Sequence, residues 1–433
     1  MGALTDYPFA TVSSAAFYVL LLAAALPQSR QYVASLFAHP IPPSQTYQLG
    51  FDTLRGFAAI YVAFGHCWWA TYPVFASTQL SAPFVAFNTK AVPIFAVLSG
   101  FLIYRSSLSA VKSIDGVRAY IVRRFFRIYP VYLLGIALSL AMGQYVSSPQ
   151  FTASGYLVSD LFMFPSLNWP GGFANPPTWS LYVEVAFYVL LPIMVIAVGQ
   201  KRMAAVCAVL LIACLIADYP SRVFVLWRYF FIGIIASEAS QKIGFKSALV
   251  AFIAGLLLFY YDLGGPAHDW LGHLGVGQVH PDYSTLGLGV ACGLILAALP
   301  HLPRIGTMLN VLPLRLLGVI SYSVYIIHFF YIRANFPEIS LFSQAGTDPL
   351  YQHFKAMAPY PAWYLPLVFF PGVLFWGACS FLLVERPGIL LGRLILKQAK
   401  PKPKPELKAQ PAAYFSFERA AEPVPEPMSK NFS

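Results

Sequence analysis

The sequence predicts an all-α membrane protein: a polytopic bundle of about ten or eleven transmembrane helices followed by a disordered C-terminal tail. Three observations carry this. Of 433 residues, 58% are hydrophobic and only 10% are charged, whereas soluble globular domains carry about a quarter charged residues. Apolar runs recur along the chain at lengths near the ~20 residues that cross a bilayer. The basic residues cluster in the short segments between those runs and in the tail, as positive-inside loops do.

In chain order the expected spans are 9–27, 51–73, 84–104, 129–147, 179–199, 203–218, 223–240, 247–261, 284–300, 315–334 and 361–384. The first has no basic residue before it, so it reads as a retained helix, because a secretory signal carries a positive n-region. The segment with Arg105, Lys112, Arg118, Arg123, Arg124 and Arg127 is expected in the cytoplasm. Threading from it puts Lys201, Arg202, Lys242, Lys246, Arg304, Arg315 and the tail on the same side. The N-terminus is then outside and the C-terminus inside. Long outer loops are expected at 148–178 and 335–360, the first with an apolar patch at Leu157–Phe164 suited to the interface. The loop 262–283 carries His268, His273 and His280, whose spacing fits no common ligand motif, so no metal is expected. Residues 397–433, rich in Pro, Ala and charge, cannot bury a core and are expected to be disordered.

The net charge of +11 does not point to nucleic acid, because the charges form short loop clusters and no basic groove. Cys67, Cys207, Cys214, Cys292 and Cys379 lie inside apolar runs without CxxC or Cys/His spacing, and read as small packing residues.

Ionisable residues within a bilayer are costly and therefore candidates for function. Lys90 and Arg228, near the outer ends of their spans, are expected to snorkel. Four groups are left. Asp52 and Arg55 can pair across one turn at a cytoplasmic helix entrance. His66 follows on the same helix about 16 Å farther on; it is either a hydrogen-bonded interior histidine or a base able to take a hydroxyl proton. Arg123, Arg124 and Arg127 begin the next span among aromatics. They satisfy the positive-inside rule, and Arg124 with Arg127 could also grip a phosphate. Glu184 follows Trp179-Ser180-Leu181 about 7 Å inside its helix. A lone buried Glu must be paired or protonated, and His66 is a candidate partner at similar depth. Ser321, Tyr325 and His328 share one face of their helix, with Tyr322 beside them. Glu385-Arg386-Pro387 reads as a terminal pair with a helix stop.

These groups occur together with Phe95-x-x-x-Ser99-Gly100-Phe101 and Tyr129-Pro130. In that order and spacing, over about 49–390, the chain resembles acyltransferase family 3. These are multi-pass bacterial membrane acyltransferases that modify surface polysaccharides, nodulation factors and some antibiotics. The resemblance implies ten core spans, with 1–48 an extra N-terminal helix and linker. It implies an acyl-CoA donor, acetyl-CoA by default, and a glycan or glycolipid acceptor outside a bacterial cytoplasmic (inner) membrane. It further implies His66 as the catalytic residue, Arg55, Arg124 and Arg127 on the donor, and Glu184 with Trp179 shaping the acceptor side; read beside it, Glu184 is expected to orient His66, and Ser99 and Tyr129 to join the donor site. From their place on the helix face, Tyr322, Tyr325 and His328 are expected with Trp179 on the acceptor side, with Tyr325 or His328 the candidate oxyanion donor. Many relatives carry a further C-terminal esterase-like domain, which leaves room for a separate periplasmic acyl-transfer partner. The competing class is a transporter or flippase, since intramembrane His, Glu and Arg also mark substrate paths; inverted repeats or paired broken helices, common in transporters, are not evident.

Overall fold

The computed structural model describes residues 8–37, 50–70, 91–142, 153–163, 175–216, 222–264, 286–309, 311–335 and 364–398. No strand occurs among them. In chain order the helices are α1 Pro8–Ala25, α2 Pro27–Leu36, α3 Phe51–Ala70, α4 Ala91–Ala110, α5 Ile114–Ala141 and α6 Ala153–Phe162. After a 3-10 turn come α7 Trp179–Val198, α8 Gln200–Ile216, α9 Arg222–Ser240, α10 Phe245–Gly264 and α11 Leu286–Ala298. The series closes with α12 Pro303–Leu309, α13 Leu312–Asn335, α14 Tyr364–Ser380 and α15 Arg386–Gln398. Each expected span overlaps one of these helices. The stretches Ala91–Ala110, Ile114–Ala141, Trp179–Val198, Pro313–Asn335 and Phe369–Gln398 are long and apolar enough to cross a membrane. A further candidate span bends by 107° between Leu286–His301 and Pro303–Leu309. This is a polytopic helical membrane protein. Helices dominate because hydrocarbon offers the backbone no water, so each N–H and C=O must be satisfied within its own segment. Lys90, the loop histidines and most of the two long outer loops and the tail lie outside the described residues.

Three sequence expectations change. The helix expected to start at residue 129 begins at Ile114. Ser113 caps it, accepting from the Gly116 amide at 3.0 Å, with Asp115 in the first turn. Hydropathy does not register a charged helical extension, yet this one carries Arg118 to Arg127 in helical register. Likewise, Pro387 does not stop a helix. A π turn, Phe381–Glu385, leads directly into α15 with Pro387 in its first turn, where its missing N–H costs no intrahelical bond. Arg228 does not snorkel either; it is buried and donates to the Cys214 carbonyl at 2.6 Å.

Two close helix crossings place the site. α3 packs along α13, where a Cβ on Gly56 would lie 2.6 Å from the Gly318 nitrogen. α4 packs along α9, and a Cβ added to Gly100 would meet the Phe230 backbone at 2.9 Å. Small residues at such crossings let backbones approach where no aqueous hydrophobic force drives association. Around them Phe101, Phe187, Phe230 and Leu191 form one buried core, and Val131, Tyr132, Tyr182 and Ile326 another. Val19, Leu22, Ile196, Val209, Ile216, Val250 and Leu383 face outward, as lipid-facing side chains do. α1 docks on α14: Phe9 stacks on Trp376 at 5.6 Å, and Trp376 donates to Ser13 Oγ at 2.9 Å.

Candidate active site

α3, α4, α5, α7 and α13 enclose a cavity of about 490 Å3, within the ~300–1,000 Å3 range of small-molecule sites. Arg55, Arg105, Arg124 and Arg127 line it, facing the carboxylates of Asp52 and Glu184. Four cations against two anions leave the cavity suited to an anion of more than one charge. Ser99, Ser180, Ser321, Tyr322 and Tyr325 also reach its wall. Seven of the sequence candidates therefore converge on one space: Arg55, Ser99, Arg124, Arg127, Glu184, Tyr322 and Tyr325.

Arg124 is held in a fixed plane. Its Nη2 donates to Ser106 Oγ at 2.7 Å. Its guanidinium lies 4.7 Å from the Tyr120 ring centroid and 4.4 Å from that of Tyr188. Stacking between aromatic faces pre-organises the planar fork for phosphate-like oxygens. Glu184 accepts from Ser99 Oγ at 2.6 Å and from Tyr188 Oη at 2.5 Å. Asp52 and Arg55 form the expected turn-spaced pair at 3.3 Å. Arg127 makes no hydrogen bond among the described residues; it lines the cavity and its charge also acts on the buried Glu385 carboxyl. Arg105, read from the sequence only as a loop charge, also lines the cavity and donates from Nε to Ser237 Oγ at 3.0 Å. Tyr188 was equally unsuspected. It lies one helical turn beyond Glu184, and that spacing is the one signal that could have found it.

His66 lies outside this set of lining residues, and the structure does not bring it to Glu184. Its Nδ1 lies 3.0 Å from His328 Nε2, the two rings stacked at 5.0 Å and 17°. His328 is fully buried. The pair sits one turn beyond the cavity along α13. Tyr325 stands between: it lines the cavity, and its ring centroid is 5.9 Å from that of His328. Tyr325 Oη bonds Ser180 Oγ at 2.7 Å and also donates to the Pro177 carbonyl. Tyr322 donates to the Ile128 carbonyl at 2.8 Å.

Two candidates point elsewhere. Tyr129 stacks on Phe125 at 4.7 Å and donates to the Leu161 carbonyl. It lines an adjoining apolar groove of about 460 Å3 between α5 and α7, which shares Arg124, Ile128 and Tyr188 with the cavity. A tyrosine two residues past Arg127 falls on a different helix face, which the motif spacing alone does not show. Trp179 packs into the core beside Val183 and Phe187, and its neighbour Ser180 takes the cavity wall. Glu385 accepts from Ser323 at 2.7 Å; this partner lies on α13, not at the adjacent Arg386. Among the described residues no cluster of His, Cys, Asp and Glu could hold a metal ion.

The arrangement offers a cavity in which arginines outnumber carboxyl groups, lined also by hydroxyls, and next to it a buried pair of imidazoles. Residues 48–384 match the model of an acyltransferase domain family. A curated acyltransferase, MdmB of Streptomyces mycarofaciens, is 30% identical over 163 residues, which cover 35% of this chain and 40% of that relative. The chain thus spans less than half the length of that relative. No solved structure matches. The motifs that built the cavity fall inside the matched residues, and on that extent the chain belongs to acyltransferase family 3.

Proposed function

We propose that this membrane acyltransferase moves an acyl group, acetyl by default, from cytoplasmic acyl-CoA to a hydroxyl of an extracytoplasmic glycan or glycolipid in a bacterial cytoplasmic membrane. The observation that carries the donor is the cavity, in which four guanidinium groups outnumber two carboxylates. Its phosphate-like complementarity suits the pyrophosphate of CoA. The positive-inside rule puts this basic end on the cytoplasmic side, where acyl-CoA is found.

The pantetheine arm runs from the arginines past Tyr325 to the imidazole pair, displacing the Tyr325–Ser180 hydrogen bond on the way. At His66 the acceptor hydroxyl gives its proton to the ring as its oxygen attacks the thioester carbonyl. The new C–O bond forms, the C–S bond breaks, and the proton passes from the imidazolium to the departing thiolate. Ser99 and Glu184 line the passage, so Glu184 acts on the donor side and not as the orienting carboxylate of His66.

The test is turnover by the purified protein in nanodiscs, read as free thiol released from acetyl-CoA in the presence of a surface-glycan acceptor. His66→Ala is expected to lower turnover by about 10²- to 10⁴-fold while binding acetyl-CoA as the wild type does. Wild-type turnover in that variant would sink the role of His66.

A further inference from the structure

We propose that His328 is a positioning residue that fixes the tautomer of His66, leaving Nε2 of His66 as the atom that takes the acceptor proton. This rests on the reading of His66 as general base. It starts from one carbonyl. His328 Nδ1 lies 3.3 Å from the carbonyl oxygen of Val324, one turn earlier on α13. A carbonyl oxygen only accepts, so the hydrogen sits on Nδ1. The reverse placement would set two lone pairs against each other at that distance. A neutral imidazole has a single N–H, so His328 Nε2 carries none and must accept. It lies 3.0 Å from His66 Nδ1, which therefore donates. His66 has then used its own N–H, and its Nε2 presents a lone pair.

Proton direction along Val324, His328 and His66 is thus set from one end. A carboxylate performs this task in the Ser-His-Asp triad. An uncharged imidazole does so without placing an anion in a dry interior, where desolvation is costly. When His66 Nε2 takes up the acceptor proton, the imidazolium keeps its Nδ1–H on His328, which shares the new charge. The full burial of His328 and its stacking at 17° hold the geometry. It follows that His328 has no ring nitrogen left for an oxyanion. The Val62 carbonyl, one turn earlier on α3, also accepts from His66, so the one N–H of His66 is shared between it and His328 Nε2, and losing His328 loosens the ring without releasing it entirely.

Two amides of similar polarity separate positioning from packing. His328→Gln can present its Oε1 where Nε2 stood, keeping an acceptor for His66. His328→Asn reaches only as far as the former Nδ1 and can satisfy Val324 but not His66. Both are compared with wild type and His66→Ala for kcat, KM for acetyl-CoA and thermal midpoint. The Asn variant is expected to lose about 10²-fold in kcat with KM within about twofold, and the Gln variant to recover to within about tenfold of wild type. Equal losses in both amides, a lower kcat for Gln than for Asn, or wild-type kcat in Asn would overturn the proposal. Failure of both amides to fold would also overturn it, since His328 would then serve packing first. If His66→Ala keeps wild-type turnover while the amides still differ, it is the general-base reading that fails.

Discussion

Arg124 is fixed before any ligand arrives. Two tyrosine faces and one serine hydroxyl hold its plane, so a bound phosphate does not have to order it. Glu184 works in the opposite sense, a carboxyl group among the four arginines that line the cavity. Glu184→Gln keeps an acceptor for Ser99 and Tyr188 and raises the charge of the cavity by one. Acetyl-CoA affinity is expected to rise by about three- to tenfold, with steeper weakening in salt. Titrations at two ionic strengths check this; a weaker affinity would show that the carboxylate organises the arginines instead of opposing the donor. At this scale the sequence was legible where a residue type announces its own cost. A buried arginine or glutamate in an apolar run must have a reason, and Arg55, Arg124, Arg127 and Glu184 did converge, whereas Arg228 is spent on the Cys214 carbonyl. Partnership was not legible. His66 and His328 are 262 positions apart, and nothing in a single sequence says that α3 and α13 are neighbours. Tyr129 and Trp179 shared motifs with true lining residues, but motif membership does not set which way a side chain points.

Among the elements, the α3–α13 crossing governs both ends of the site. At one end it sets Asp52 and Arg55 beside Ser321 and Tyr322, and at the other it brings His66 to His328. Gly56 and Gly318 permit this closeness. Gly56→Val is expected to push the helices apart, lower stability by about 1–3 kcal/mol and reduce turnover at the same time. Thermal unfolding in detergent with a parallel thiol-release assay measures both; an unchanged melting point with full turnover would mean the crossing is looser than described. Apolar run length located each span because lipid-facing and core-facing positions are both hydrophobic. It misplaced the ends of α5 and of the last span because charge and proline continue as helix there. In α5 a capped start carries four arginines in helical register, and in α15 Pro387 occupies a first turn that tolerates it.

For the whole molecule, charge asymmetry and polar placement tell one story. The fold class followed from composition, run length and the placement of basic residues together, since 10% charged residues cannot cover a water-facing surface of this size. The site followed less completely, because it is built from five helices whose adjacency is a property of packing. α1 docks on α14 through Phe9, Ser13 and Trp376 and lies outside the family match at 48–384. It extends the bundle, and none of its described residues lines the cavity. The proposed function rests on one spatial relation: the arginine cavity and the imidazole pair adjoin along α13 through Tyr325, as transfer from a donor held at one to an acceptor at the other requires. The most direct measurement is calorimetric titration of acetyl-CoA into wild type, Arg124→Ala, Arg127→Ala and His66→Ala in nanodiscs. Each arginine variant is expected to bind about 10- to 100-fold more weakly, with melting points retained and the histidine variant binding as wild type. Unchanged affinity in both arginine variants would contradict the assignment of this cavity to the donor.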